Sequence, residues 1–239
     1  MRRYRDYVTR GLHHALPTGK RENLDGLARV IAEFDLVALQ EADAGSLRSG
    51  FLNQTEYLAE AAGFPFWSHQ PNRRVANLAT SSNGLLARFE PEEVLDYPLP
   101  GRIPGRGALW ARFGNDREAL IVVVAHLSLG PKARERQLRF LADLIADHPH
   151  AVLMGDLNTT ASSAELKHLF ARTGLRPPHN PPATFPSWQP IRAIDHILVS
   201  DSIVVEKLWA LDHPVSDHLP VAARVRIPRA ALPESASKL

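Results

Sequence analysis

Several short stretches of this sequence hand polar residues to one end of an apolar run. Leu36-Val37-Ala38-Leu39 leads into Gln40-Glu41, Leu120 to Ala125 into His126, and Val152-Leu153-Met154 into Gly155-Asp156-Leu157-Asn158. Ile194-Asp195-His196-Ile197 opens a further apolar run, and Val215-Ser216-Asp217-His218-Leu219-Pro220 stands just ahead of another. Carboxylate and amide oxygens suit a hard divalent cation, and carboxylate with imidazole suits proton transfer near neutral pH. The chain has no cysteine, which removes disulfides, thiolate zinc sites, iron–sulfur clusters and a cysteine nucleophile. Any metal must be held by oxygen or imidazole.

Each stretch taken alone has an ordinary structural use. Glu41 is a solvated loop residue or a helix cap, Asp156 and Asn158 an Asx-turn, and His126 a satisfied core histidine. Asp195 then pairs with a surface arginine, and Ser216-Asp217-His218 caps the last strand. Other catalytic schemes fit worse. Ser216, Asp217 and His218 are adjacent and cannot form a relay among themselves, and there is no G-x-S-x-G elbow. Gly19-Lys20 lacks the earlier glycine and the following Ser or Thr of a phosphate-binding loop. The 11 histidines include no H-E-x-x-H pair to place a zinc ion.

The elements that must carry these residues follow from periodicity. At 239 residues, 44% hydrophobic and 23% charged, the chain has the composition of one globular domain, expected over residues 1–227 with a frayed tail over 228–239. Lys and Arg number 28 against 26 Asp and Glu, a net charge of +2. That balance tolerates an anionic substrate without demanding one. No apolar run reaches the roughly 18 residues of a membrane span and no signal core follows Met1, so the reading is an untargeted, cytoplasmic protein. Tyr4, Val8, Leu12 and Ala15 or Leu16 predict an opening amphipathic helix ending near Pro17 and Gly19. Leu24, Leu27, Ile31 and Phe34 predict a second helical stripe, with further helices over Asn53 to Ala62 and Ala133 to Ala146. Strands are expected at Leu36 to Leu39, Asn83 to Ala87, Gly107 to Phe113, Ala119 to His126, Ala151 to Met154, Asp195 to Ser200, Ile203 to Ala210 and Val221 to Val225. Proline-rich loops fall at Tyr97 to Pro104 and Arg176 to Pro190, and no internal repeat or interdomain linker is visible. Paired strands interrupted by a few helices give an α+β class.

The ordered set of motifs resembles the endonuclease/exonuclease/phosphatase superfamily of magnesium-dependent phosphoester hydrolases. The resemblance runs from about Leu24 to Val225 and rests on Leu39-Gln40-Glu41, Asn83-Gly84-Leu85-Leu86, His126-Leu127, Gly155-Asp156-Leu157-Asn158, Ile194-Asp195-His196-Ile197 and Ser216-Asp217-His218-Leu219-Pro220. It implies a four-layer α/β/β/α sandwich of two packed mixed sheets flanked by helices, with the motifs meeting at one edge. By the same resemblance Glu41 is the central ligand of Mg²⁺, or Mn²⁺, with Asp217 close to the metal. Asp156 orients or deprotonates the attacking water, and Asn158 fixes that water or a phosphate oxygen. His218 contacts the phosphate, Asp195 orients it, and His126 lies across the scissile phosphate. Asn83 and Arg106 are substrate-binding candidates, Arg106 equally readable as a surface loop arginine.

The resemblance implies in-line attack by water on phosphorus and leaves the substrate among DNA, RNA, phospholipid head groups and small phosphodiesters. A nuclease is placed first. Arg73, Arg74, Trp67, Arg102, Arg106, Trp110 and Trp188 are the basic and aromatic residues available for nucleic acid. The other readings are a lipid or small-phosphodiester hydrolase and a catalytically silent relative that binds a partner. One departure supports the last. The family begins with a strand that carries an asparagine near the metal, whereas here Met1 opens into Arg2-Arg3-Tyr4-Arg5 and no Asn precedes Asn23. The expectation is that Met1 is an internal methionine and the natural product starts upstream, with an apolar strand ending in Asn.

Overall fold

The structure is a computed structural model that describes residues 17–45, 52–75, 79–101, 105–114, 117–177, 179–233 and 236. The opening helix expected over the first residues lies outside them. Helix α1 spans Pro17–Ile31. Pro17 stands in its first turn, where a missing N–H costs nothing, and Gly19 lies within it. Leu24, Leu27, Ala28 and Ile31 form the inward stripe of α1. Strand β1 (Leu36–Asp43) follows at once. Helix α2 (Gln54–Ala62) is capped by the Asn53 side chain, which accepts from the N–H groups of Thr55 and Glu56, and it ends at Gly63 in the left-handed region. Arg88 joins the two helix ends: its guanidinium donates to the carbonyls of Ala32, Phe34 and Gly63 and lies over the Phe64 ring.

Strands β2 (Phe66–Val75) and β3 (Ala79–Ala87) pair antiparallel with each other, and β1 pairs with β3, giving a three-stranded sheet β1-β3-β2. A six-stranded mixed sheet, ordered β4-β5-β6-β7-β9-β8, comprises β4 (Glu93–Pro98), β5 (Gly107–Phe113), β6 (Leu120–Ala125), β7 (His150–Asp156), β8 (Leu175–Arg176) and β9 (Asp195–Ser200). Helices α3 (Pro131–Ile145) and α4 (Ala164–Arg172) cover its outer face. A hairpin of β10 (Val204–Ala210) and β11 (Val221–Arg226) completes the strands.

The layers can be read along single strands. On β6, Ile121, Val123 and Ala125 pack under α3 and α4, while Leu120, Val122 and Val124 face the other sheet. On β3, Leu85 and Ala87 point between the sheets and Leu86 points to α1 and α2. This two-residue alternation, buried on both sides, is why these strands read as continuous apolar runs. The result is α+β: helices, sheet, sheet, helices. The three-stranded part pairs antiparallel throughout; the parallel pairing is β6 with β7.

Four elements escaped the sequence. β2 contains Pro71 and arginines, β4 overlaps a proline-rich stretch, α4 is only 9 residues long and β8 only 2. The tail also departs from expectation. A 3₁₀ turn at Arg229–Ala231 buries Ala231 in the core between the sheets, so residues 229–233 pack where fraying was predicted.

Among the described residues, β1 and β11 each have a partner on one side only. β1 lies over β6 and β7, and β11 over β9, so the layer is interrupted above the junction of β7 and β9. A cavity of about 2070 Å³ fills this interruption; α1 lines it through Leu24 and Leu27, β7 through Val152 and Met154, and β9 through Ile197. Leu36, Val37, Ala38 and Leu39 are only half-buried, although they are as apolar as the fully buried β6.

Candidate active site

One end of the cavity carries the polar motifs. Glu41 arrives there through a bulge: Leu39 pairs with Gly84 and Ala42 with Ser82, so Gln40 and Glu41 together oppose Asn83. The extra residue re-aims the side chain. Glu41 has φ 56°, a left-handed conformation that costs a non-glycine residue about 1–3 kcal/mol and must be held by its surroundings. Its carboxylate is exposed, with Oε1 3.8 Å from Nδ1 of His126.

Parallel pairing of β6 with β7 brings the ends of both strands to the same edge. His126, buried just beyond β6, places Nε2 3.3 Å from Oδ2 of Asp156, the last residue of β7. Gly155 permits this approach, since a Cβ there would stand 1.9 Å from the carbonyl oxygen of Ala125. Leu127 N–H donates to the Asp156 carbonyl at 2.9 Å. Asp156 and Asn158 do form an Asx-turn: Asn158 N–H donates to Asp156 Oδ1 at 2.8 Å. Asn158 has φ 53°, and its side-chain amide donates to the Leu127 carbonyl at 2.9 Å. The ordinary structural use of this motif is thus present, at the polar end of the cavity.

Asp195 begins β9 directly opposite Asp156 in the antiparallel pairing of β7 with β9. Two carboxylates so placed need cationic or hydrogen-bonding partners. Asp156 has His126, and Asp195 has His218, whose Nδ1 lies 2.8 Å from Oδ2 and 3.1 Å from Oδ1. Thr184, fully buried, also donates its hydroxyl to Asp195. Thr184 was missed because nothing in a proline-rich loop marks one threonine. That loop docks on the His218 turn: Ser187 N–H donates to the Asp217 carbonyl and Ser187 Oγ to the Ser216 carbonyl, each at 2.7 Å, and the Phe185 ring lies 4.8 Å from the His218 ring.

The charges follow from this packing. Burial pushes the Asp156 carboxyl up, but His126, the Asn158 N–H and His218 outweigh it and hold it below the usual carboxylate value. Burial pushes His218 down, yet the Asp195 hydrogen bond and the charges of Asp195, Asp156 and Asp217 raise it above an ordinary histidine. Burial lowers His196, whose Nε2 lies 2.7 Å from the Thr159 carbonyl while Nδ1 has no partner. Asp156, Asp195 and His218 bring ligand atoms within 4.8 Å of one another, a grouping able to hold a cation.

Asp217 and Glu41 line the same cavity, and so does Arg106. Asn83 does not: it is fully buried, with its amide donating to Gln70 Oε1 at 3.3 Å and to the Gly107 carbonyl at 2.8 Å. Gln70 in turn donates to the carbonyls of Tyr97 and Ala108, so Asn83 belongs to a polar clamp between the sheets, set back from the cavity lining. Trp110 is also removed from the nucleic-acid candidates, being buried under α3. Trp67 and Trp188 are exposed at 37% and 40%. The side chains of Arg73 and Arg74, and all of Arg102, lie outside the described residues. Among the described residues no helix is long and apolar enough to cross a membrane.

Solved structures share this fold. An endonuclease/exonuclease/phosphatase family protein from Bacteroides thetaiotaomicron matches with TM-score 0.67 at 19% identity, over 87% of this chain and 89% of that one. TDP2 from D. rerio, complexed with a single-strand DNA product, matches with TM-score 0.65 at 15% identity, over 86% and 92%. Beta toxin from Staphylococcus aureus matches with TM-score 0.63 at 14% identity, over 86% and 92%. No curated protein sequence matches this one. The model of the Endonuclease/Exonuclease/phosphatase family matches residues 14–218, a stretch that runs from before Glu41 to His218, and the chain therefore belongs to that family of phosphoester hydrolases.

Proposed function

We propose that the protein cleaves phosphodiester bonds by in-line attack of water on phosphorus, with nucleic acid as the first substrate class. The observation that carries this reading is the convergence of two carboxylate–histidine pairs, His126 with Asp156 and Asp195 with His218, on opposed strand ends at one cleft. Asp156, kept ionised, takes a proton from the attacking water. As the new P–O bond forms, the ester P–O bond breaks and its electron pair goes to the leaving oxygen. His218, kept protonated by Asp195, neutralises a phosphate oxygen, and His126 donates to a nonbridging or leaving oxygen. Asn158 orients these groups, its amide already spent on Leu127.

The donor set fits a hard cation. Glu41 and Asp217 offer exposed carboxylates at the mouth, and Mg²⁺ or Mn²⁺ held there would neutralise phosphate charge. Nucleic acid is favoured by Arg106 in the cleft wall and by Trp188 in the loop that docks beside His218. A lipid-derived phosphodiester is the second reading, favoured by Leu129, which lines the cleft and is 76% exposed. The test is hydrolysis in ¹⁸O-labelled water across DNA, RNA, a phosphatidylcholine vesicle and bis-(p-nitrophenyl) phosphate, with and without Mg²⁺. Label in the phosphate product, lost in His218→Ala, is the expected result. Label in the alcohol, or unchanged turnover by folded His218→Ala, rejects the mechanism.

A further inference from the structure

His126 stands at the end of β6, and the chain beyond it, Leu127 to Leu129, is not part of any strand. A loop of this kind must find partners for its main-chain groups elsewhere. Leu127 uses the Asp156 carbonyl and the Asn158 amide. Ser128 is held from the opposite side by Gln137 of α3: its N–H donates to Gln137 Oε1 at 2.9 Å, and Gln137 Nε2 donates to Ser128 Oγ at 3.0 Å. Arg134, one turn earlier on α3, donates to the carbonyls of Ser128 and Leu129.

Gln137 is 1% exposed and Arg134 is 9% exposed, so neither serves as surface solubility. A buried guanidinium needs a counter-charge, and Glu165 in the first turn of α4 supplies it with two hydrogen bonds of 2.8 and 3.1 Å. The stretch between Asn158 and α4 returns this helix to the site. A closed ring results: His126 loop, α3, α4, Asn158 turn, and back through the Asn158 amide to Leu127.

We propose that Gln137 and Arg134, with Glu165 as counter-ion, are positioning residues that hold His126 and Asn158 together in register with Asp156. The inference rests on the hydrolase reading for its catalytic consequence and on the hydrogen-bond ring alone for its structural one. None of these side chains touches the cleft chemistry; they act through the loop. A displacement of about 1 Å in a reacting group is enough to cost roughly 100-fold in rate, so a clamp of this kind belongs to turnover more than to binding.

The test uses the full chain with Gln137→Leu, Gln137→Glu and Arg134→Lys, and Arg139→Ala as an exposed control on the same helix. Two readouts are taken: kcat and KM on bis-(p-nitrophenyl) phosphate, and hydrogen exchange of the Asn158 side-chain amide by NMR. In Gln137→Leu the expected result is a kcat about 10- to 100-fold lower with KM nearly unchanged, together with faster exchange of the Asn158 amide. Gln137→Glu keeps an acceptor for Ser128 N–H and recovers part of both, Arg134→Lys falls between, and Arg139→Ala changes neither. Unaltered Asn158 exchange in the Gln137 variants overturns the clamp, and faster exchange with wild-type kcat overturns its role in turnover. Should Gln137→Leu fail to fold, Gln137→Glu and Arg134→Lys decide by the same criteria. Should the wild-type chain cleave nothing, the hydrolase reading fails separately, and Asn158 exchange alone decides the ring.

Discussion

The imidazole of His218 presents Nδ1 to both oxygens of Asp195, at 2.8 and 3.1 Å, and so has its other nitrogen free to meet a substrate. The pairing fixes which ring nitrogen faces the cleft and keeps the ring protonated beyond the pH at which a free histidine loses its proton. Because the folded value is raised, the pair's contribution is complete below the ordinary histidine value and is lost as pH rises through the raised one. Asp195→Asn removes the charge and keeps the shape. The His218 titration followed by ring-proton NMR in metal-free protein should move to lower pH, and the alkaline limb of turnover should move with it. A His218 titration that ignores Asp195→Asn would dismiss the pairing as its cause.

Gly155 cannot be replaced. A side chain there meets the Ala125 carbonyl, and its φ of 142° is foreign to other residues. Gly155→Ala must spread β6 from β7, which carry His126 and Asp156. Loss of soluble protein, or a large fall in Tm with turnover abolished, is expected; wild-type Tm would contradict the packing.

Asn83→Ala should act on stability and not on binding. It strips Gln70 and the Gly107 carbonyl of a buried donor, at a cost of about 1–3 kcal/mol. Urea unfolding should register that loss while KM stays at the wild-type value. A raised KM with stability intact would return Asn83 to the substrate.

His196 makes the fold sensitive to mild acid. Its folded pKa is lowered by burial, so the unfolded chain binds the proton more readily, and stability falls as pH drops through the ordinary histidine value. Asp156, also lowered, adds its loss only under the ordinary carboxylate value. His218, whose raised value works in the opposite direction over this range, is common to both proteins, so the change in Tm from pH 7.5 to 5 should be more negative in the wild type than in His196→Gln; identical changes would reject His196 as the cause.

The half-buried face of β1 predicts uneven protection. Amides of β1 that are not paired to β3 should exchange much faster than those of β6, which is hydrogen-bonded on both sides. Equal protection of the two would mean that the interruption beside β1 is closed in solution.

Much of this was legible in the sequence because the chemistry sits where periodicity changes. The runs ending at Glu41, His126 and Asp156 are apolar on both faces, and such strands announce themselves. Asp195 and His218 were legible as a pair only through the resemblance, since they stand 23 positions apart with the rest of β9, all of β10 and their loops between them. Asn83 was a substrate candidate only through the resemblance, whereas its hydrogen bonds depend on Gln70 and Gly107, brought to it by two other strands. Thr184, Arg134 and Gln137 act through partners remote in sequence, and no local pattern encodes a partner. The start of α1 at Pro17, ahead of the stripe that begins at Leu24, was not legible because a proline ends one helix and starts another with equal ease.

Among the described residues, the unpaired edges of β1 and β11 are not equivalent toward other molecules. An unpaired strand edge is a template on which a second chain can add by backbone hydrogen bonding, and charged side chains are the usual deterrent. β11 carries Arg224 and Arg226, whereas β1 runs Leu-Val-Ala-Leu-Gln before reaching its first charge at Glu41. Of these two edges β1 is therefore the less guarded against self-association, and crowding or storage at high concentration are the conditions that would expose the difference.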